Sequence, residues 1–121
     1  MIERPCFQDM LRRIRWPEAL VITGMRRVGK TTLLRFLHDR TPSDNKLLID
    51  LENVARRRLF ETEDYDRILD GLAALGIDLS RRAYVFLDEI QFVPRIPSVV
   101  KYLLDHHRVK FVLTGSASFY M

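Results

Sequence analysis

Residues 24–31 read GMRRVGKT. The segment fits G-x-x-x-x-G-K-[ST], the phosphate-binding loop or Walker A pattern. A triphosphate needs several donors converging on its β-phosphate. A tight loop supplies them, because successive backbone N–H groups point inward and form an anion nest. Gly24 and Gly29 allow the turns and the close approach of phosphate to backbone. Met25, Arg26, Arg27 and Val28 complete the loop between them. Lys30 sets a point charge between the β- and γ-phosphates, and Thr31 offers a hydroxyl to Mg²⁺, with Thr32 following it. A helix opening here also turns its positive dipole end toward the phosphates.

The flanks suit that reading. Ala19 to Thr23 is a short apolar run rich in β-formers, and a helix is predicted from about Lys30 through Leu33, Leu34 and Leu37, ended by Thr41-Pro42. A continuous apolar strand suits a sheet covered on both faces. Upstream, Phe7, Met10, Leu11 and Ile14 have helical spacing over 7–15, and Pro17 stops that helix. Downstream, strands are predicted over 46–51, 83–87 and 109–113. Helices are predicted over 64–75, with Gly76 as C-cap, and over 98–107. Alternating element types point to an α/β layered fold with a mostly parallel sheet.

Residues 84–89 read YVFLDE, so a buried strand runs straight into two carboxylates. Such a pair is costly unless it has a task. In a Walker B arrangement Asp88 holds Mg²⁺, and Glu89 orients the attacking water as general base. The strand VKFVLTGS ends in Thr114, Gly115 and Ser116. A hydroxyl there is placed to touch the γ-phosphate or the water, with Thr114 ahead of Ser116.

GMRRVGKTTLL, FLDEIQ and LTGSAS together resemble a family of prokaryotic AAA-like P-loop ATPases of the additional-strand, catalytic-glutamate division. The discriminating elements are Arg26-Arg27-Val28, Ile90-Gln91 and the TGS strand end. The resemblance implies a three-layer α/β/α fold with sheet order 5-1-4-3-2. It implies ATP and Mg²⁺ as ligands and a crevice shared by Lys30, Asp88, Glu89 and Thr114. It also implies that residues 1–121 are the N-terminal part of the ATPase domain. Strands 1-4-3-2 are then present, while the fifth strand, the lid and a C-terminal domain are missing. The arginine finger and sensor 2 belong to that missing part, and a homo-oligomer or protein partner is expected through the missing C-terminal domain. From related ATPases, Asn53 or Asp50 is a candidate to pair with Glu89 and gate it.

The remaining composition narrows the alternatives. The chain has 121 residues, 47% of them hydrophobic and 30% charged, as in a folded globular domain. A lone cysteine, Cys6, excludes an intrachain disulfide and a cysteine-based zinc site. No apolar run suggests a membrane span, and the first ten residues lack a signal-peptide core, so a cytoplasmic location is expected. A guanine-specific switch needs N-K-x-D, but Asn45-Lys46 is followed by Leu47-Leu48. The Asp88-Glu89 pair argues for water activation over phosphoryl transfer to a metabolite. A fragment that binds nucleotide without turnover remains an alternative, as does a nucleic-acid-associated module. For the latter, Arg12, Arg13 and Arg15 with Arg56, Arg57 and Arg58 are the basic runs. No aromatic residue interleaves with them, so they read mainly as a solvated charged face. Within the loop, Arg26 and Arg27 face phosphate, a subunit interface or solvent. Trp16 reads as a packing residue, and His106-His107 as helix C-terminal charge rather than metal ligands.

Overall fold

The computed structural model describes residues 7–23 and 27–115. In chain order the elements are α1 (Phe7–Arg13), β1 (Leu20–Ile22), α2 (Arg27–Arg40), β2 (Lys46–Asp50) and α3 (Val54–Arg57). A 3₁₀ turn over Arg58–Phe60 leads to α4 (Tyr65–Ala74) and β3 (Ala83–Asp88). A second 3₁₀ turn, Ile90–Phe92, precedes α5 (Ile96–His106) and β4 (Val109–Thr114).

The four strands pair in parallel in the order β1-β4-β3-β2. The expected α/β fold and its 1-4-3-2 order are therefore present. Successive side chains on a strand point to opposite faces. In β3, Val85 and Leu87 face one layer and Phe86 the other. In β4, Phe111 and Leu113 face the first layer and Val112 the second. Helices α4 and α5 cover the first face through Ile68, Leu72, Ile96, Val99 and Leu103. Helices α1 and α2 cover the second through Met10, Leu33, Leu34 and Leu37, joined by Ile14 just after α1. Burial on both faces is why the central strands read as unbroken apolar runs. Each large side chain so buried contributes about 1.5–3 kcal/mol.

Local chemistry sets the element ends. Helix α2 starts at Arg27, three residues before the predicted Lys30, so the end of the loop segment is already helical. Helix α5 starts at Ile96 rather than Ser98, because Pro97 fits a first helical turn, where no N–H is needed. Helix α4 closes as expected: Gly76 has φ 104°, and Ile77 N–H reaches Leu72 O at 3.0 Å while Gly76 N–H reaches Ala73 O at 3.0 Å. Asn53 caps α3, its side-chain oxygen accepting from Ala55 N at 3.0 Å and Arg56 N at 3.3 Å. Helix α3 and the two 3₁₀ turns were not predicted, being too short to show an apolar period.

Buried Asn45 ties the lower edge of the sheet together. Its amide donates to Asp78 O at 2.8 Å and Arg82 O at 2.9 Å, and its oxygen accepts from Asp78 N at 2.8 Å.

Candidate functional site

Three strand ends and one helix start meet at the carboxyl edge of the sheet. β1 leads to the GKT segment at the start of α2. β3 ends in Asp88, and β4 ends in Thr114, whose neighbour across the other ladder is Ile22. Since β4 lies between β1 and β3, residues far apart in sequence converge here.

Thr31 Oγ1 donates to Asp88 Oδ2 at 2.8 Å. Thr114 Oγ1 donates to the other oxygen, Asp88 Oδ1. The same Thr114 oxygen accepts the Glu89 backbone N–H at 3.0 Å. Lys30 Nζ donates to Gly115 O at 2.7 Å and lies 3.9 Å from Glu89 Oε1. Lys30, Asp88, Glu89 and Thr114 are all at most 5% exposed, so these interactions act in a weakly screened setting.

Glu89 has φ 61° and ψ 55°, the left-handed region, and no other described non-glycine residue has positive φ. That conformation costs roughly 1–2 kcal/mol for a residue with a Cβ. The kink ends β3 and turns the chain into the Ile90–Phe92 turn, leaving the Glu89 carboxylate beside Lys30. Strain of this kind concentrates at functional sites.

The structure thus brings together Lys30, Thr31, Asp88, Glu89 and Thr114. Thr32 is exposed and Gly29 half-buried at the start of α2. Gly24, Met25 and Arg26 lie outside the described residues, as do Ser116 and the side chains of Arg27 and Val28. Asp50 and Asn53 use their side-chain oxygens locally, Asp50 on Glu52 N at 2.9 Å and Asn53 on the α3 cap. Sequence reading missed the Gly115 carbonyl, which anchors Lys30. Its signal was the strand register that carries Gly115 past Thr114. A Cβ at Gly115 would stand 3.0 Å from Ile90 Cγ1 and 3.6 Å from Gln91 Oε1. The Gln91 oxygen is itself buried without a hydrogen-bond partner.

The oxygen set suits a hard divalent cation. One hydroxyl and one carboxylate converge at 2.8 Å, too few for an all-protein cage but matched to Mg²⁺, which keeps waters and takes substrate phosphate oxygens. A lysine ammonium has three donors, and Gly115 O takes one.

Two sequence expectations change here. Trp16 is 53% exposed, not packed in the core, because Pro17 and the turn after α1 leave it outside both apolar layers. The basic runs do not merge into one face. Arg12, Arg13 and Arg15 lie at the end of α1 before β1, whereas Arg56–Arg58 follow the carboxyl end of β2. Arg57 donates to Leu51 O and Glu52 O and lies over Phe92 at 5.0 Å. His106 stacks on Tyr102 with ring centroids 4.3 Å apart. Among the described residues no group of His, Cys, Asp and Glu is arranged to hold a metal by itself. No described helix is long and apolar enough to cross a membrane.

A parallel sheet in this order, with a G-K-T segment opening the helix after the edge strand, is the arrangement of P-loop nucleotide-binding folds. The chain belongs to the AAA domain family, whose model matches residues 17–121. Its fold is similar to that in the structure of C. elegans PCH-2, with a TM-score of 0.64 and 13% identity. That likeness covers 94% of this chain and 38% of the PCH-2 chain. No curated protein matches the chain in sequence. The chain is an ATPase-like nucleotide-binding core.

Proposed function

We propose that this core binds Mg-ATP and hydrolyses it. The observation that carries the reading is the convergence of Lys30, Thr31, Asp88 and Glu89 at one buried edge. Lys30 and the start of α2 bind the β- and γ-phosphates, and Thr31 and Asp88 hold the cation. A cation held there would supply positive charge to offset the negative charge that develops on the phosphates. Glu89 takes a proton from the attacking water. Its nearness to Lys30 supports this role, since phosphate drawn to Lys30 sets the water beside the carboxylate.

Thr114 is proposed as a positioning residue rather than a phosphate contact. A hydroxyl has one proton to donate, and Asp88 receives it. Residues 1–121 are read as the N-terminal part of a larger ATPase domain, with turnover driving a change in the remainder, and the cytoplasm is the proposed location.

The test is a pair of variants in the full-length protein. Lys30→Ala is expected to abolish ATP binding by calorimetry. Glu89→Gln is expected to keep binding and stop phosphate release. Continued hydrolysis by Glu89→Gln would remove the general-base assignment. Tight binding with no wild-type turnover would favour a nucleotide-binding switch.

A further inference from the structure

We propose that the opposite edge of the sheet, where α1 ends and β3 and β4 begin, binds single-stranded nucleic acid through Arg13, Trp16, Arg82, Arg108 and Lys110. Two cavities meet there at Lys110. One, of about 240 Å³, is walled by Arg82, His107, Arg108 and Lys110 among others. The other, of about 270 Å³, is walled by Arg13, Trp16 and Lys110, and Glu18 is the one acid lining either.

The cations are not matched by carboxylates. Among the described residues no ion pair engages Arg13, Arg82, Arg108 or Lys110. Arg82 instead donates to the carbonyls of Ile14, Arg15 and Trp16 at 3.3, 2.8 and 3.3 Å. It thereby fixes the end of α1 and the Trp16 backbone beside the cavities. Lys110 is buried and donates to Glu18 O. Burial, then the Arg82 charge, push its ammonium down to about 8. The Glu18 carboxylate offsets this only in part, so a bound phosphate would add counter-charge.

Trp16 adds the second chemistry. It is the only tryptophan of the chain and is 53% exposed, with the Arg13 guanidinium 5.9 Å from its ring centroid. Cationic pockets beside an exposed aromatic plate match alternating phosphates and bases. An acidic peptide would use the charges and leave the plate without a task. Arg13 and Trp16 share the run RRIRW over 12–16, but Arg82, Arg108 and Lys110 come from two distant segments, so the composite surface is assembled only by the fold. The surface lies at the other end of the strands from Lys30 and does not depend on the ATPase reading.

Trp16 fluorescence reads the surface directly. An oligo-dT of about 12 nucleotides is titrated into the protein at low salt. Quenching is expected, with log affinity falling against log salt at about −0.7 per phosphate contacted. Arg13→Ala with Arg108→Ala is expected to weaken binding at least ~10-fold with an unchanged unfolding midpoint. Trp16→Ala, followed by anisotropy of a labelled oligonucleotide, is expected to weaken it roughly 5- to 100-fold. Lys30→Ala is expected to leave it intact. The proposal fails if no quenching occurs or if the double variant binds as the wild type does. It fails equally if Lys30→Ala abolishes binding, or if polyglutamate binds and quenches as well as oligo-dT.

Discussion

The Thr114 hydroxyl holds the backbone N–H of Glu89 at 3.0 Å, at the one described non-glycine residue in the left-handed conformation. The same oxygen donates to Asp88. One fully buried side chain therefore links the proposed cation ligand to the backbone of the proposed base. The register supports it: Leu87 faces Leu113, so the next residues, Asp88 and Thr114, leave the sheet side by side.

Thr114→Val keeps the shape and removes the hydroxyl. It leaves a buried N–H and a carboxylate oxygen short of a partner, at a cost of about 1–3 kcal/mol in stability. Turnover is expected to fall roughly 10- to 100-fold, with ATP affinity near that of the wild type. Thr114→Ser should restore most of it. A variant that loses discrimination between ATP and ADP, with turnover unchanged once ATP saturates, would instead mark Thr114 as a phosphate contact.

Glu89→Gly tests whether the kink is strained for function. The left-handed penalty of roughly 1–2 kcal/mol disappears, against about 0.5–1 kcal/mol of added chain entropy and the loss of the carboxylate beside Lys30. Glu89→Ala loses the same carboxylate but keeps the strained backbone, so urea unfolding is expected to show Glu89→Gly as the more stable of the two, with phosphate release lost in both. Glu89→Ala proving the more stable would mean that the kink stores no strain.

Lys110 gives a pH signature. Its ammonium titrates at about 8 in the folded chain, against 10.5 when free. Between those values the unfolded chain carries the extra proton, so this residue makes stability rise with pH from about 8 toward 10.5. Below about 8 both states are protonated, and the burial cost is borne in full. Lys110→Met removes the group. The wild type is therefore expected to gain on the variant across that window in melts taken at successive pH values. A constant difference would contradict the shift.

Asn45→Ala removes three hydrogen bonds that join β2 to the segment between α4 and β3. A loss of at least ~2 kcal/mol is expected, read as a lower denaturant midpoint. The ATP site is far along the strands, so ATP affinity of the folded protein should be unchanged.

Much of this architecture is legible locally. The GKT segment, the LDE strand end and the alternation of apolar runs with amphipathic helices are properties of neighbours in the chain. They specify two-faced strands, their covering helices and the proposed phosphate and cation residues. Even the Gly76 cap follows from one residue's freedom at positive φ.

What the tertiary structure decided is how separate segments meet. The placement of β4 between β1 and β3 carries the Thr114 hydroxyl to Asp88 and the Gly115 carbonyl to Lys30. The left-handed turn at Glu89 is imposed by such contacts, since glutamate has no local preference for it. The same convergence gathers Arg82, Arg108, Lys110 and Trp16 at the far edge. Sequence determines each residue's chemistry and local shape. Proximity between distant residues comes from strand order and register, which are set by packing across the whole sheet.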